Sequence, residues 1–170
     1  MKKIDKSKIL STHYYNWQKN LEENNENHPT YSSKHKYYWD VVMNLFYCQN
    51  GLCAYTEMEL CPCNFFEVVK WQEGRYIDNE KPQIFGDIEH FDNNLKKTKG
   101  WLWENLFMVH SNINTRAKGI HSVDNILKPD TEEYDAFKLL EYNADAHIYI
   151  PNTDLPEEEQ ERIKKMGSYG

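Results

Sequence analysis

The chain has 170 residues, a net charge of −7, and 39% hydrophobic and 14% aromatic residues. That length suits one domain with a real core, and the 12 Tyr and 5 Trp argue for a core of large rings rather than for disorder. The acidic balance excludes a protein that coats nucleic acid non-specifically, yet it allows a local basic patch that works with a metal ion.

In chain order, residues 5–22 read as a helix, because Ile9, Leu10, Tyr14, Trp17 and Leu21 recur at roughly helical spacing. LEENNENHPTYSS is a polar linker that ends in an N-cap candidate at Ser32 or Ser33. Lys34 to Asn50 is the best helix, with Tyr38, Val41, Val42, Leu45 and Phe46 on one face and QNG as its stop. LCAYTEMEL alternates like a strand, and VVKWQEGRYI places a Gly turn between two β-prone runs. NNLKKTKGW is a basic loop; ENLFMVHSNINTRAKG reads as a turn, a short apolar strand and a helix closed by Gly119. FKLLEYNADAHIYIP is a hairpin candidate, and PEEEQERIKKM is a charged helix. No run approaches a membrane-spanning helix, and the start MKKIDKSKILSTHYY lacks the apolar stretch of a secretory signal, so a cytoplasmic protein is expected. In that compartment Cys48, Cys53, Cys61 and Cys63 should be reduced, so metal ligation is the question to ask of them.

The stretch GDIEHFDNN sets ionisable side chains between two apolar anchors, Ile88 and Phe91. Most such clusters are half-buried strands with their acidic residues in water. The chemical alternative is phosphodiester hydrolysis, which needs a metal ion to offset charge on the phosphoryl and leaving oxygens and a base to activate water. Hard cations such as Mg²⁺ take carboxylate or amide oxygens. Adjacent strand residues point to opposite faces, so Glu89 and His90 can serve one site only where the strand bends or at its edge.

LCAYTEMEL, then DIEHF, then WENLFMVHSNINTRAKG resembles HNH endonucleases, most closely those of anti-phage systems of the Septu and retron-linked kinds. The resemblance covers roughly Tyr38 to Pro151 and implies an α+β fold: N-terminal helices, a ββα-metal core, then a C-terminal hairpin and helix. It implies a single nuclease domain over 1–170, with a helical part at 1–50, the core at 51–119 carrying a hairpin insertion at 61–86, and an extension at 120–170. His90 matches the general base on water and Glu89 the acidic metal ligand. Asn105 matches the Asn that ties the loop and positions the histidine, and Asn114 the second metal ligand. Asp87 would support the metal's water shell or simply begin the strand. Arg116 and Lys118 fall where relatives place cations against phosphate, and Lys96, Lys97 and Lys99 are candidates for the nucleic-acid backbone.

The chain also departs from that pattern. Many relatives carry a structural zinc on two Cys-x-x-Cys pairs, and zinc wants four soft or imidazole ligands. Here those pairs read Cys53 with Thr56 and His110 with Ile113. Loss of zinc, with aromatic packing in its place, is the expectation; a rearranged set of Cys53, Cys61, Cys63 and His110 is the alternative. His110 otherwise reads as a helix-start or core histidine, and His121 and His147 as surface residues.

The resemblance thus implies a Mg²⁺- or Mn²⁺-dependent endonuclease, acting on DNA ahead of RNA, as effector of a defence complex with an ATPase subunit. Two rivals stand beside it: a nucleic-acid-binding subunit that no longer cleaves, and a stand-alone toxin or homing-type nuclease.

Overall fold

The computed structural model describes residues 2–78, 80, 82–112, 124–146 and 148–167. The chain is mixed α+β, with helices α1 (Thr12–Glu23), α2 (Tyr38–Gln49), α3 (Ala136–Leu139) and α4 (Glu157–Gly167). Its strands form two-stranded antiparallel pairs: β1 (Trp71–Gln72) with β2 (Arg75–Tyr76), β3 (Gly86–His90) with β4 (Leu106–His110), and β5 (Leu140–Asn143) with β6 (Ile148–Pro151). Among the described residues no helix is long and apolar enough to cross a membrane.

Helix α2 is the centre of the core. Val41, Val42, Met43, Leu45 and Phe46 are all fully buried, so it is covered on nearly every side. It ends where expected: Asn50 adopts the left-handed conformation, and its N–H bonds back to the Phe46 carbonyl. Its start differs from the sequence reading. Ser32 and Ser33 do not cap it; the helix begins at Tyr38, with Tyr37 at the N-cap position and no side-chain cap. Ser32 instead closes a local turn, its hydroxyl accepting from the Lys34 N–H and its carbonyl from the His35 N–H.

The first helix also starts later than its periodicity suggests, at Thr12 instead of residue 5. Asn44, buried on α2, supplies the reason. Its Oδ1 accepts from the backbone N–H groups of Leu10 and Ser11 at 2.8 and 2.9 Å, and its Nδ2 donates to the Lys8 carbonyl at 2.8 Å. These bonds keep residues 8–11 out of the helix, since a side-chain partner competes directly with the helical ladder. LCAYTEMEL is likewise not a regular strand. Leu52 and Glu59 make one antiparallel bridge around a tight turn, with Cys53 N–H on the Met58 carbonyl and Glu57 N–H on the Cys53 carbonyl.

The VVKWQEGRYI hairpin forms as expected, turning at Gly74 with φ of 74°, a conformation costly for any residue with a Cβ. It is tied to α2 by Asp40, whose carboxylate accepts from Arg75 Nε at 2.7 Å and Tyr76 N–H at 2.8 Å. The C-terminal hairpin forms in register from Leu140↔Pro151 to Asn143↔Ile148. With α4 it surrounds a smaller cluster of Leu127, Tyr134 and Ile163.

Candidate functional site

The hairpin of β3 and β4 runs in unbroken register from Gly86↔His110 to His90↔Leu106, and Phe91 N–H adds one more bond to the Asn105 carbonyl. Beside β4, where a third strand would lie, side chains take over. Gln49 at the end of α2 both accepts from Met108 N–H and donates to the Met108 carbonyl, each at 2.9 Å. One step away, Cys53 Sγ accepts from His110 N–H at 3.3 Å, and Lys6 Nζ donates to the Leu106 carbonyl at 2.9 Å. An amide, a thiol and an ammonium, together with the Ala54 N–H on the Met108 carbonyl at 3.0 Å, thus satisfy this buried strand edge.

Glu89 and His90 sit at the end of β3 and are only 4% and 1% exposed. Regular register sends their side chains to opposite sides of the hairpin. On the Glu89 side lies Tyr55, whose phenol is pushed well above its usual range by burial and then by the charge of Glu89. On the other side, the His90 ring meets Tyr31 edge-on, at 5.2 Å between centroids. Burial raises the Tyr31 phenol as well, and its hydroxyl pairs with that of Tyr38, both within the field of Asp87. Asp87 itself is exposed.

The tautomer of His90 follows from its partner. Nε2 lies 2.9 Å from the Gly100 carbonyl oxygen. A carbonyl only accepts, so Nε2 carries the proton and the basic lone pair of the neutral ring is on Nδ1. Gly100 also packs closely on the preceding turn: a Cβ there would stand 2.8 Å from the Lys96 carbonyl oxygen. Helix α1 and the linker behind it position the segment. Tyr14 donates its hydroxyl to the Trp101 carbonyl at 2.5 Å, Gln18 accepts from Trp103 N–H at 3.0 Å, and His28 accepts from Trp101 N–H at 3.0 Å.

Asn105 closes the turn after His90. Its Oδ1 accepts from Asp92 N–H at 2.7 Å and its Nδ2 donates to the Asp92 carbonyl at 3.0 Å. Lys96 and Lys97 are exposed, whereas Lys99 is held to Glu22 at 2.5 Å. Asn114, Arg116, Lys118, His121 and His147 lie outside the described residues, which resume a helical turn only at Ser111 and Asn112 after β4. His110 serves the start of that turn, its Nδ1 accepting from Asn112 N–H at 3.2 Å.

Among the described residues no three His, Cys, Asp or Glu side chains gather as metal ligands. Of the alternative zinc set, Cys53 and His110 are neighbours through a backbone N–H, Cys61 is buried against the Pro62 carbonyl, and Cys63 is exposed. Of the two carboxylates expected to serve a hard cation, Glu89 is buried and Asp87 exposed.

The sequence reading missed Tyr31, Tyr38, His28 and Gln49. The only advance signal was an aromatic and an imidazole flanking a proline in an otherwise polar linker, His28-Pro29-Thr30-Tyr31. The chain matches no protein-family model, no curated protein and no solved structure.

Proposed function

We propose that this chain is a metal-dependent endonuclease of the HNH type, with β3, β4 and the turn that follows as a ββα-metal core. The observation that carries the reading is the pairing of His90 Nε2 with the Gly100 carbonyl, which fixes Nδ1 as the basic nitrogen of a histidine at the end of β3. In this reading Nδ1 of His90 takes the proton of the attacking water, and the Gly100 carbonyl steadies the ring as it becomes positive. Glu89 holds a divalent cation, with Asn114 as the second oxygen donor by resemblance. When bound, that ion supplies charge compensation on the phosphoryl and leaving oxygens. Asn105 keeps the turn after the base closed. The expected products carry 5′-phosphate and 3′-hydroxyl ends.

With net charge −7 and few local cations, the isolated chain should capture nucleic acid weakly and with strong salt sensitivity. Delivery by a partner, an ATPase in the systems it resembles, would supply what the surface lacks.

A second reading has its own observation. His90 is 1% exposed, so a substrate reaches Nδ1 only if its cover moves. That favours a hairpin kept as a binding scaffold that no longer cleaves.

Plasmid nicking with and without Mn²⁺, at matched salt and with any co-purifying partner, separates the two. His90→Ala should lower cleavage by roughly 10²–10⁴-fold, the usual worth of a positioned base. Equal nicking by a folded His90→Ala protein removes His90 from the chemistry. Absence of Mn²⁺-dependent nicking by the parent chain, alone and in complex, leaves the binding reading.

A further inference from the structure

One peptide group, the unit joining Gly100 to Trp101, touches two histidines. Its carbonyl accepts from His90 Nε2 at 2.9 Å, and its N–H donates to His28 Nδ1 at 3.0 Å. His28 is buried, and because Nδ1 accepts a backbone N–H it is unprotonated there; the ring proton is on Nε2. That proton points at Glu22 Oε1, 2.8 Å away, and the other Glu22 oxygen takes Lys99 Nζ at 2.5 Å. The order is therefore carboxylate, imidazole, peptide, imidazole.

We infer that Glu22 and His28 are positioning residues that act through the Gly100–Trp101 peptide to hold the His90 ring, with its proton on Nε2, against the Gly100 carbonyl. The physical cause is mutual polarisation along the chain. The Glu22 charge makes His28 Nδ1 a better acceptor, which draws on the Trp101 N–H and leaves the Gly100 oxygen more negative. That oxygen in turn takes the His90 Nε2 proton more strongly and fixes the ring's tautomer and orientation, just as a carboxylate behind a histidine does. No atom is transferred along the chain; each proton stays on its own donor.

The groups facing the chain agree with this direction. Burial pushes the His28 imidazole below its ordinary range despite Glu22, which keeps it neutral. Burial works against ionised Glu22, but Lys99 and His28 hold it below the ordinary carboxylate range, so its charge persists. The Lys99 ammonium opposes the Glu22 charge. Trp17 lies near the His28 ring, His35 packs on Trp101, and Tyr31, paired with Tyr38, stands edge-on to His90.

The inference rests on the nuclease reading for its effect on rate, but the coupling has a readout of its own. In the full chain with its partner, Mn²⁺-dependent cleavage is followed at one pH in Glu22→Gln, His28→Gln and Lys99→Met, while ¹⁵N-edited spectra track the His90 Nε2 proton. Glu22→Gln should weaken cleavage by roughly 10–100-fold and move the Nε2 proton upfield. His28→Gln, which breaks the chain but keeps the Glu22 charge, should do the same. Lys99→Met, which leaves the Glu22 charge uncompensated, should move both signals the opposite way. A purely structural latch would lower stability in all three variants with the resonance unmoved, and that result overturns the inference. So does a shift in Glu22→Gln that is absent from His28→Gln, which would mark a direct field from Glu22. If no variant and no parent protein cleaves while the Nε2 proton still responds as described, the nuclease reading fails and the coupling stands.

Discussion

Asn105 grips the backbone of Asp92 from both sides, accepting its N–H at 2.7 Å and donating to its carbonyl at 3.0 Å. The pair locks the first residues after His90 onto the start of β4, so the turn cannot open without breaking both bonds.

Asn105→Asp keeps the acceptor and loses the donor, setting a buried carboxylate oxygen against the Asp92 carbonyl. Stability should fall by about 1–3 kcal/mol, the cost of an unmet buried polar group. Urea unfolding checks this; an unchanged midpoint and slope would mean that the turn does not depend on the donor.

Gln49 stands in for a strand beside Met108, and it also donates to the Leu52 carbonyl at 2.7 Å. Gln49→Leu keeps the volume but strands the Met108 N–H, at about 1–3 kcal/mol for each buried backbone group left unpaired. Amide hydrogen exchange should show faster opening of Met108 and of its β3 neighbours. Protection equal to that of the parent chain would show that another group covers the edge.

Lys6 gives a pH prediction. Its ammonium is buried, donating to the carbonyls of Trp103 and Leu106 and lying 3.4 Å from Asp130. Burial, partly offset by Asp130, lowers its pKa from 10.5 to about 8. Between those values the unfolded chain binds the Lys6 proton and the folded chain has released it. Lys6 therefore adds to stability as pH rises from about 8 to 10.5, and that gain is lost as pH falls back through 8. The buried thiols of Cys48 and Cys61, raised to about 11 and about 12, work the other way above the unfolded thiol range. Comparing the parent with Lys6→Met cancels them: the stability difference should move in the parent's favour from pH 8 to 10. A flat difference would show that Lys6 titrates alike in both states.

Glu89→Gln removes the charge proposed to hold the cation while keeping the shape. Mn²⁺ binding, followed by calorimetry or by electron paramagnetic resonance, should weaken by at least 10-fold, while zinc content stays as in the parent because hard oxygen and soft thiolate donors serve different ions. Undiminished Mn²⁺ binding would take Glu89 out of the ligand set.

Local pattern in the sequence was enough to predict the buried face and stop signal of α2, the Gly74 hairpin, the C-terminal hairpin, and strands bearing Glu89–His90 and Leu106–His110. Periodicity and turn chemistry act over a few residues, so they are visible without a fold. What only the tertiary structure decided depends on groups distant in the chain. Asn44 takes the N–H groups of Leu10 and Ser11 and delays α1; Gln49 caps Met108 across 59 residues; His28 reaches Trp101 across 73. Each of these is a polar side chain in a stretch that looks unremarkable alone, and its role exists only once folding buries it beside a backbone group that water can no longer satisfy. For the same reason the sequence singled out His90 but not the peptide that sets its tautomer.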